Sequence, residues 1–117
     1  MDSKKNMNIN GMLPNDTFKN KVILITGGGT GLGKSMGQYL VTLGAKLIIT
    51  SRRSEVIDKT ASEFNKEYPD STLAVKGDVR NVEDVKKVID EGYKKFKKID
   101  ILVNNAAGNF ISPTERL

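Results

Sequence analysis

Four short runs of apolar, largely β-branched residues recur along the chain: residues 21–26 (KVILIT), 46–50 (KLIIT), 72–75 (TLAV) and 99–104 (IDILVN). Each is too short for a helix and lacks the polar alternation of a half-exposed strand, which predicts strands buried on both faces. Between them the apolar positions follow the helical period. Leu32, Met36, Tyr39, Leu40 and Leu43 form one stripe that ends at Gly44, a C-cap residue. Val56, Ile57, Thr60, Ala61, Phe64 and Tyr68 form a second, stopped by Pro69. Val82, Val85, Val88, Ile89, Tyr93 and Phe96 form a third, with Asn81 at the N-cap. The order βαβαβαβ predicts a parallel sheet with right-handed crossovers, the first half of a doubly wound α/β fold.

Composition narrows the chemistry. The 117 residues contain no cysteine and no histidine, which removes disulfides, thiolate or imidazole zinc sites and nucleophiles that depend on those side chains. The net charge of +5 resides largely in lysines interleaved with acids, such as Lys86, Lys87, Lys94, Lys95, Lys97 and Lys98, as on a solvated helix face. With no basic stripe interleaved with aromatics, nucleic acid is not an expected partner. No apolar run reaches the ~20 residues that span a bilayer. Residues 1–20, rich in Asn and Lys and without arginine, read as a flexible leader with no visible transit peptide, and residues 21–117 as the domain.

The first strand runs directly into Thr26-Gly27-Gly28-Gly29-Thr30-Gly31-Leu32-Gly33-Lys34-Ser35 and a helix. Glycines ahead of a helix N-terminus let phosphate approach the backbone, where free N–H groups and the helix dipole attract it. Two ligands fit this pattern. A dinucleotide would place its pyrophosphate here, while Gly28 to Ser35 also meets the Walker A spacing, with Lys34 reaching a nucleoside triphosphate. The second reading needs a strand of apolar residues ending in an acid, and Asp78, Asp100 and the Asn104-Asn105 end of the last strand meet it poorly.

Three separated motifs together resemble the short-chain dehydrogenases: Thr26, Gly27, Gly31 and Gly33 as Thr-Gly-x-x-x-Gly-x-Gly, Asp78-Val79 after the third strand, and Asn104-Asn105-Ala106 after the fourth. The resemblance runs from about residue 18 to the last residue and implies a Rossmann-type fold, of which this chain carries the N-terminal part. Ala107 stands where the family's Asn-Asn-Ala-Gly has glycine. The segment from Asn104 to Leu117 is most similar to the mitochondrial type of 2,4-dienoyl-CoA reductase. That likeness implies NADPH as cofactor, an acyl-CoA thioester as substrate, a homo-oligomer and a mitochondrial location. It also implies that Gly27, Gly28, Gly29, Thr30, Gly31 and Leu32 wrap the pyrophosphate, that Arg52 holds the 2′-phosphate and Asp78 the adenine, and that Arg52, Arg80 and Phe110 touch the acyl-CoA.

The residues themselves support the choice of NADPH. An NAD site places a carboxylate at the end of the second strand. Here stand Thr50, Ser51, Arg52 and Arg53, and a guanidinium pairs with phosphate. None of Tyr39, Tyr68 and Tyr93 is expected in a Tyr-x-x-x-Lys setting or at a strand end, so no catalytic residue is assigned and the family's catalytic group is expected beyond Leu117. A reductase of 3-oxoacyl thioesters and a non-catalytic nucleotide-binding module are the competing readings. The fourth strand is expected to leave its outer edge unpaired.

Overall fold

The computed structural model describes residues 16–105 in full, together with the backbone of Met7–Asn8, Leu13–Pro14 and Phe110–Pro113. In chain order the elements are β1 (Met7–Asn8), β2 (Leu13–Pro14), β3 (Val22–Thr26), α1 (Gly31–Thr42), β4 (Lys46–Ser51), α2 (Ser54–Glu67), β5 (Thr72–Lys76), α3 (Val82–Phe96), β6 (Ile101–Asn104) and β7 (Phe110–Pro113). The main sheet has the order β5-β4-β3-β6-β7, parallel except for its last member. The two central strands are buried along both faces, as their uninterrupted apolar sequences require.

One sheet face places Ile23, Ile25, Leu47 and Ile49 against Val41 of α1 and Ile57, Ala61 and Phe64 of α2. The other places Val22, Leu24, Ile48 and Val75 against Val88 of α3 and Ile99. Each such aliphatic side chain stabilises the fold by about 1.5–3 kcal/mol. Exposed ion pairs such as Lys95–Asp70 at 3.6 Å contribute at most about 1 kcal/mol, so burial decides the architecture.

Three expectations change. The outer edge of β6 is paired: β7 lies antiparallel to it, with Val103 opposite Ile111 and Asn104 opposite Phe110. A strand edge presents unsatisfied N–H and C=O groups, and the following chain supplies partners for them. Within the helix stripes, Leu32, Val82 and Tyr93 are 53%, 68% and 47% exposed. Leu32 and Val82 belong to the first turns of α1 and α3. In the leader, β1 pairs with β2, and Phe18 packs on the core with its N–H bonded to Leu43 O at 2.9 Å.

Asp100 ties the bottom of the sheet together. Its Oδ2 accepts from Val22 N at 2.8 Å and from Lys98 Nζ at 3.1 Å, while its own N–H donates to Val22 O at 2.7 Å. Burial pushes the carboxyl up, but these bonds outweigh it and hold the group below its ordinary value. Its contribution to stability is therefore present above the ordinary carboxylate range and is lost as pH falls through the lowered value.

Candidate nucleotide site at the carboxyl edge of the sheet

The glycine loop leaves β3 at Thr26 and enters α1 at Gly31. Its glycines divide by cause. Gly27 and Gly31 have φ of 68° and 57°, the left-handed region that side chains avoid. A Cβ on Gly31 would meet nothing within 4 Å, so this residue faces open space. Gly28, Gly29 and Gly33 are needed for close packing: a Cβ would lie 2.7 Å from Ile49 Cγ2, 2.6 Å from Val56 Cγ1 and 2.1 Å from Gly27 O respectively. Three anchors fix the loop from other elements. Gly27 N donates to Thr50 O at 2.8 Å, Asn105 Nδ2 donates to Gly27 O at 3.2 Å, and Thr60 Oγ1 donates to Gly29 O at 2.8 Å. Thr26 Oγ1 further joins Asn104 Oδ1 at 2.9 Å, tying the ends of β3 and β6.

Thr30 occupies the N-cap of α1 in extended conformation, makes no side-chain cap bond, and no acid stands in the first turn. The first amides of a helix have no intrahelical acceptor, so this end is suited to an anion. The lysine of the Walker A alternative has another partner: Lys34 Nζ is paired with Glu63 Oε1 of α2 at 2.8 Å, and that hydrogen bond is the main cause that holds Glu63 below its ordinary value.

At the ends of β4 and β5 the chain places Ser51, Arg52, Arg53, Asp78 and Arg80 around one cavity of about 470 Å³, closed by Gly27, Thr50, Gly77 and Val79. Arg80 grips Asp78 through both carboxylate oxygens, with Nε to Oδ1 at 3.1 Å and Nη2 to Oδ2 at 3.0 Å; its own N–H adds a bond to Oδ1 at 2.9 Å. These bonds lower the Asp78 carboxyl to about 2. The carboxylate is thus fully charged at neutral pH, and its share of stability is lost only as pH falls from about 4 toward 2. In NMR titrations its carboxyl carbon is expected to move near pH 2, and Arg80→Ala to return the transition to the usual range near ~4. A wild-type transition already near 4 would show that the pair is open in solution.

The structure therefore gathers Gly27, Gly28, Gly29, Thr30, Gly31, Leu32, Arg52 and Asp78 along the carboxyl edge of one sheet, with Arg80 beside Asp78. The backbone of Phe110 lies on β7 opposite Asn104; its expected acyl contact lies outside the described residues. Sequence reasoning missed Thr60 and Asn105 as loop anchors and Gly33 as the tightest contact. A hydroxyl inside an otherwise apolar helix stripe was the available signal for Thr60. Tyr93 and Lys97 do stand at Tyr-x-x-x-Lys spacing, contrary to the expectation that no tyrosine is so placed. Their position removes any catalytic meaning: they end α3, Lys97 caps it in left-handed conformation, and Lys97 Nζ bonds Lys94 O at 3.1 Å. That helix end leads into the start of β6, the opposite edge of the sheet from the glycine loop.

Among the described residues no helix is long and apolar enough to cross a membrane, and no group of three or more His, Cys, Asp or Glu is placed to hold a metal.

A probable 2,4-dienoyl-CoA reductase of Caenorhabditis elegans is 44% identical over 107 residues, covering 91% of this chain and 35% of that protein. A peroxisomal 2,4-dienoyl-CoA reductase of Arabidopsis thaliana is 38% identical over 102 residues, covering 87% and 34%. The chain thus spans about a third of the length of these relatives. Among solved structures, a 3-ketoacyl-(acyl-carrier-protein) reductase of Brucella melitensis complexed with NADH superposes with a TM-score of 0.69 at 35% identity, over 74% of this chain and 34% of that one. The family model for short chain dehydrogenase matches residues 21–117, and with the loop geometry and strand order this establishes that the chain belongs to the short-chain dehydrogenase family.

Proposed function

We propose that this chain is the cofactor-binding part of an NADPH-dependent 2,4-dienoyl-CoA reductase acting in β-oxidation of polyunsaturated fatty acids. The observation that carries the reading is the cavity at the ends of β4 and β5, walled by Arg52, Arg53 and Arg80 against the single carboxylate of Asp78, which Arg80 already occupies. No carboxylate stands at the end of β4 to accept from a ribose 2′-hydroxyl, whereas a 2′-phosphate needs cations, and they line the space.

In this reading the first-turn amides of α1 and the Gly27–Leu32 backbone hold the pyrophosphate. Arg52, with Ser51 as a small donor, holds the 2′-phosphate, and ionised Asp78 accepts from the adenine amino group. Bound NADPH would supply the hydride, and a proton taken up afterwards would complete reduction of the conjugated dienoyl thioester to the 3-enoyl thioester. Arg80 and Phe110 receive the CoA moiety, whose phosphates compete with Asp78 for the Arg80 guanidinium. Homo-oligomeric assembly and mitochondrial location belong to the same proposal, although the Arabidopsis relative is named peroxisomal.

The second reading, a 3-oxoacyl-thioester reductase, is favoured by the likeness to the Brucella structure. The two separate in one assay. A protein carrying this chain at the full length of its relatives is expected to consume NADPH with a 2,4-dienoyl-CoA and to yield the 3-enoyl thioester by mass and chromatographic standard. Turnover of a 3-oxoacyl-CoA alone would replace the dienoyl proposal with the second.

A further inference from the structure

Thr50 is the next-to-last residue of β4, two positions before Arg52, and among the described residues its hydroxyl is set apart from the other polar groups of the site. It is 2% exposed, and its Oγ1 is buried with no hydrogen-bond partner among the described residues. Side chains alternate along a strand, so Thr50 lies on the same face as Ile48, toward α3. There a second, smaller cavity of about 160 Å³ opens between the sheet and α3, with apolar walls from Leu24, Val85, Val88 and Leu102. Thr50, Gly77, Asp78 and Val79 line both this cavity and the arginine-walled one, so the hydroxyl stands at their junction.

The other polar side chains of the small cavity have partners. Thr26 is bonded to Asn104, Asp84 accepts from Asp78 N at 2.9 Å, and Asp78 is held by Arg80. Gly77 lets the chain pass close beside the hydroxyl: a Cβ there would lie 3.2 Å from Thr50 Oγ1 and 3.0 Å from Val88 Cγ2. A buried hydroxyl without a partner is costly and rare in a folded protein. Its surroundings, apolar walls with one free hydrogen-bonding group, suit a flat ring with a polar edge.

We propose that the Thr50 hydroxyl is a base-reading group, which hydrogen-bonds the polar edge of the nucleobase of a bound nicotinamide dinucleotide. The proposal rests on the nucleotide reading given above, and it separates base recognition by Thr50 from phosphate recognition by Arg52. Because the base is common to NADPH and NADH, Thr50 acts on both equally.

The test compares the full-length protein with its Thr50→Val and Thr50→Ser variants, by calorimetric titration with NADPH and NADH and by thermal unfolding without ligand. Valine keeps the shape and removes the orphaned hydroxyl. The unliganded Thr50→Val protein is expected to melt about 2–4 °C higher. It is also expected to bind both nucleotides about 3- to 10-fold more weakly, while serine restores the affinity. Unchanged affinity in Thr50→Val, with normal binding by the unmodified protein, would overturn this inference and leave the nucleotide reading intact. So would a loss that serine does not restore, which would mark a packing role. No binding of either nucleotide by the unmodified protein would overturn both.

Discussion

Replacing Arg52 with alanine in the full-length protein is expected to weaken NADPH binding by about 1.5–3 kcal/mol, or roughly 10- to 150-fold, and to leave NADH almost unchanged. The magnitude is that of a charged hydrogen bond formed in a partly enclosed site. Arg52 is exposed and forms none of the described ion pairs, so the substitution removes no internal support. Arg53, whose contact to Glu55 is 3.9 Å with both side chains mostly in solvent, has a weaker claim on the same phosphate. Arg80 is committed to Asp78. Of the three arginines, Arg52 alone combines placement in the cavity wall with freedom from a described carboxylate partner. Titration of both nucleotides against wild type and variant checks the expectation, and equal losses for the two would sink it.

The Gly33→Ala substitution is expected to cost about 3 kcal/mol or more of stability, read as a shift of the urea midpoint at unchanged slope. The added Cβ would fall 2.1 Å from the Gly27 carbonyl oxygen and 2.8 Å from Asn105 Nδ2. Neither atom moves freely. Gly27 is pinned by its N–H bond to Thr50 O at 2.8 Å, and Asn105 is bonded to that same carbonyl. Relief therefore requires the loop to leave the α1 terminus, so nucleotide affinity should fall with stability. Gly31→Ala provides the contrast. Open space surrounds that position, and only its φ of 57° resists a side chain, at about 1–2 kcal/mol. If Gly33→Ala were tolerated as well as Gly31→Ala, the packing account of the loop would be wrong.

The sheet was legible because strands covered on both sides must be apolar throughout, and residues 21–26 and 46–50 contain little else. Asn81 announced the start of α3, where its side chain accepts from Glu83 N and Asp84 N. Helix faces were less legible at their ends. Periodicity marks Leu32 and Val82 as core positions, yet both stand exposed in the first turns of their helices. Periodicity is also blind to edges, so β7 was missed, since its pairing depends on where the chain turns back rather than on a motif of its own.

Within the site, the glycine spacing identified the loop but not the separate duties of its residues. Gly31 is a conformational requirement, while Gly28 is excluded from bearing a side chain by Ile49 on the neighbouring strand, a contact that sequence spacing does not encode. The Asp78–Arg80 clasp is local in sequence but depends on the turn that Asn81 N closes on Asp78 O at 2.9 Å. Lys34 illustrates the converse: the Walker spacing placed it at a phosphate, and a partner 29 positions away on α2, Glu63, draws it elsewhere.

The central claim, that the arginine-walled cavity receives a 2′-phosphate, is tested most directly by two small ligands that differ only in that group. Calorimetric titration of the full-length protein with adenosine 2′,5′-bisphosphate and with adenosine 5′-monophosphate isolates its contribution. The bisphosphate is expected to bind at least about 10-fold more tightly, with an advantage that shrinks as salt is raised. Equal affinity for the two, or tighter binding of the monophosphate, would contradict the claim.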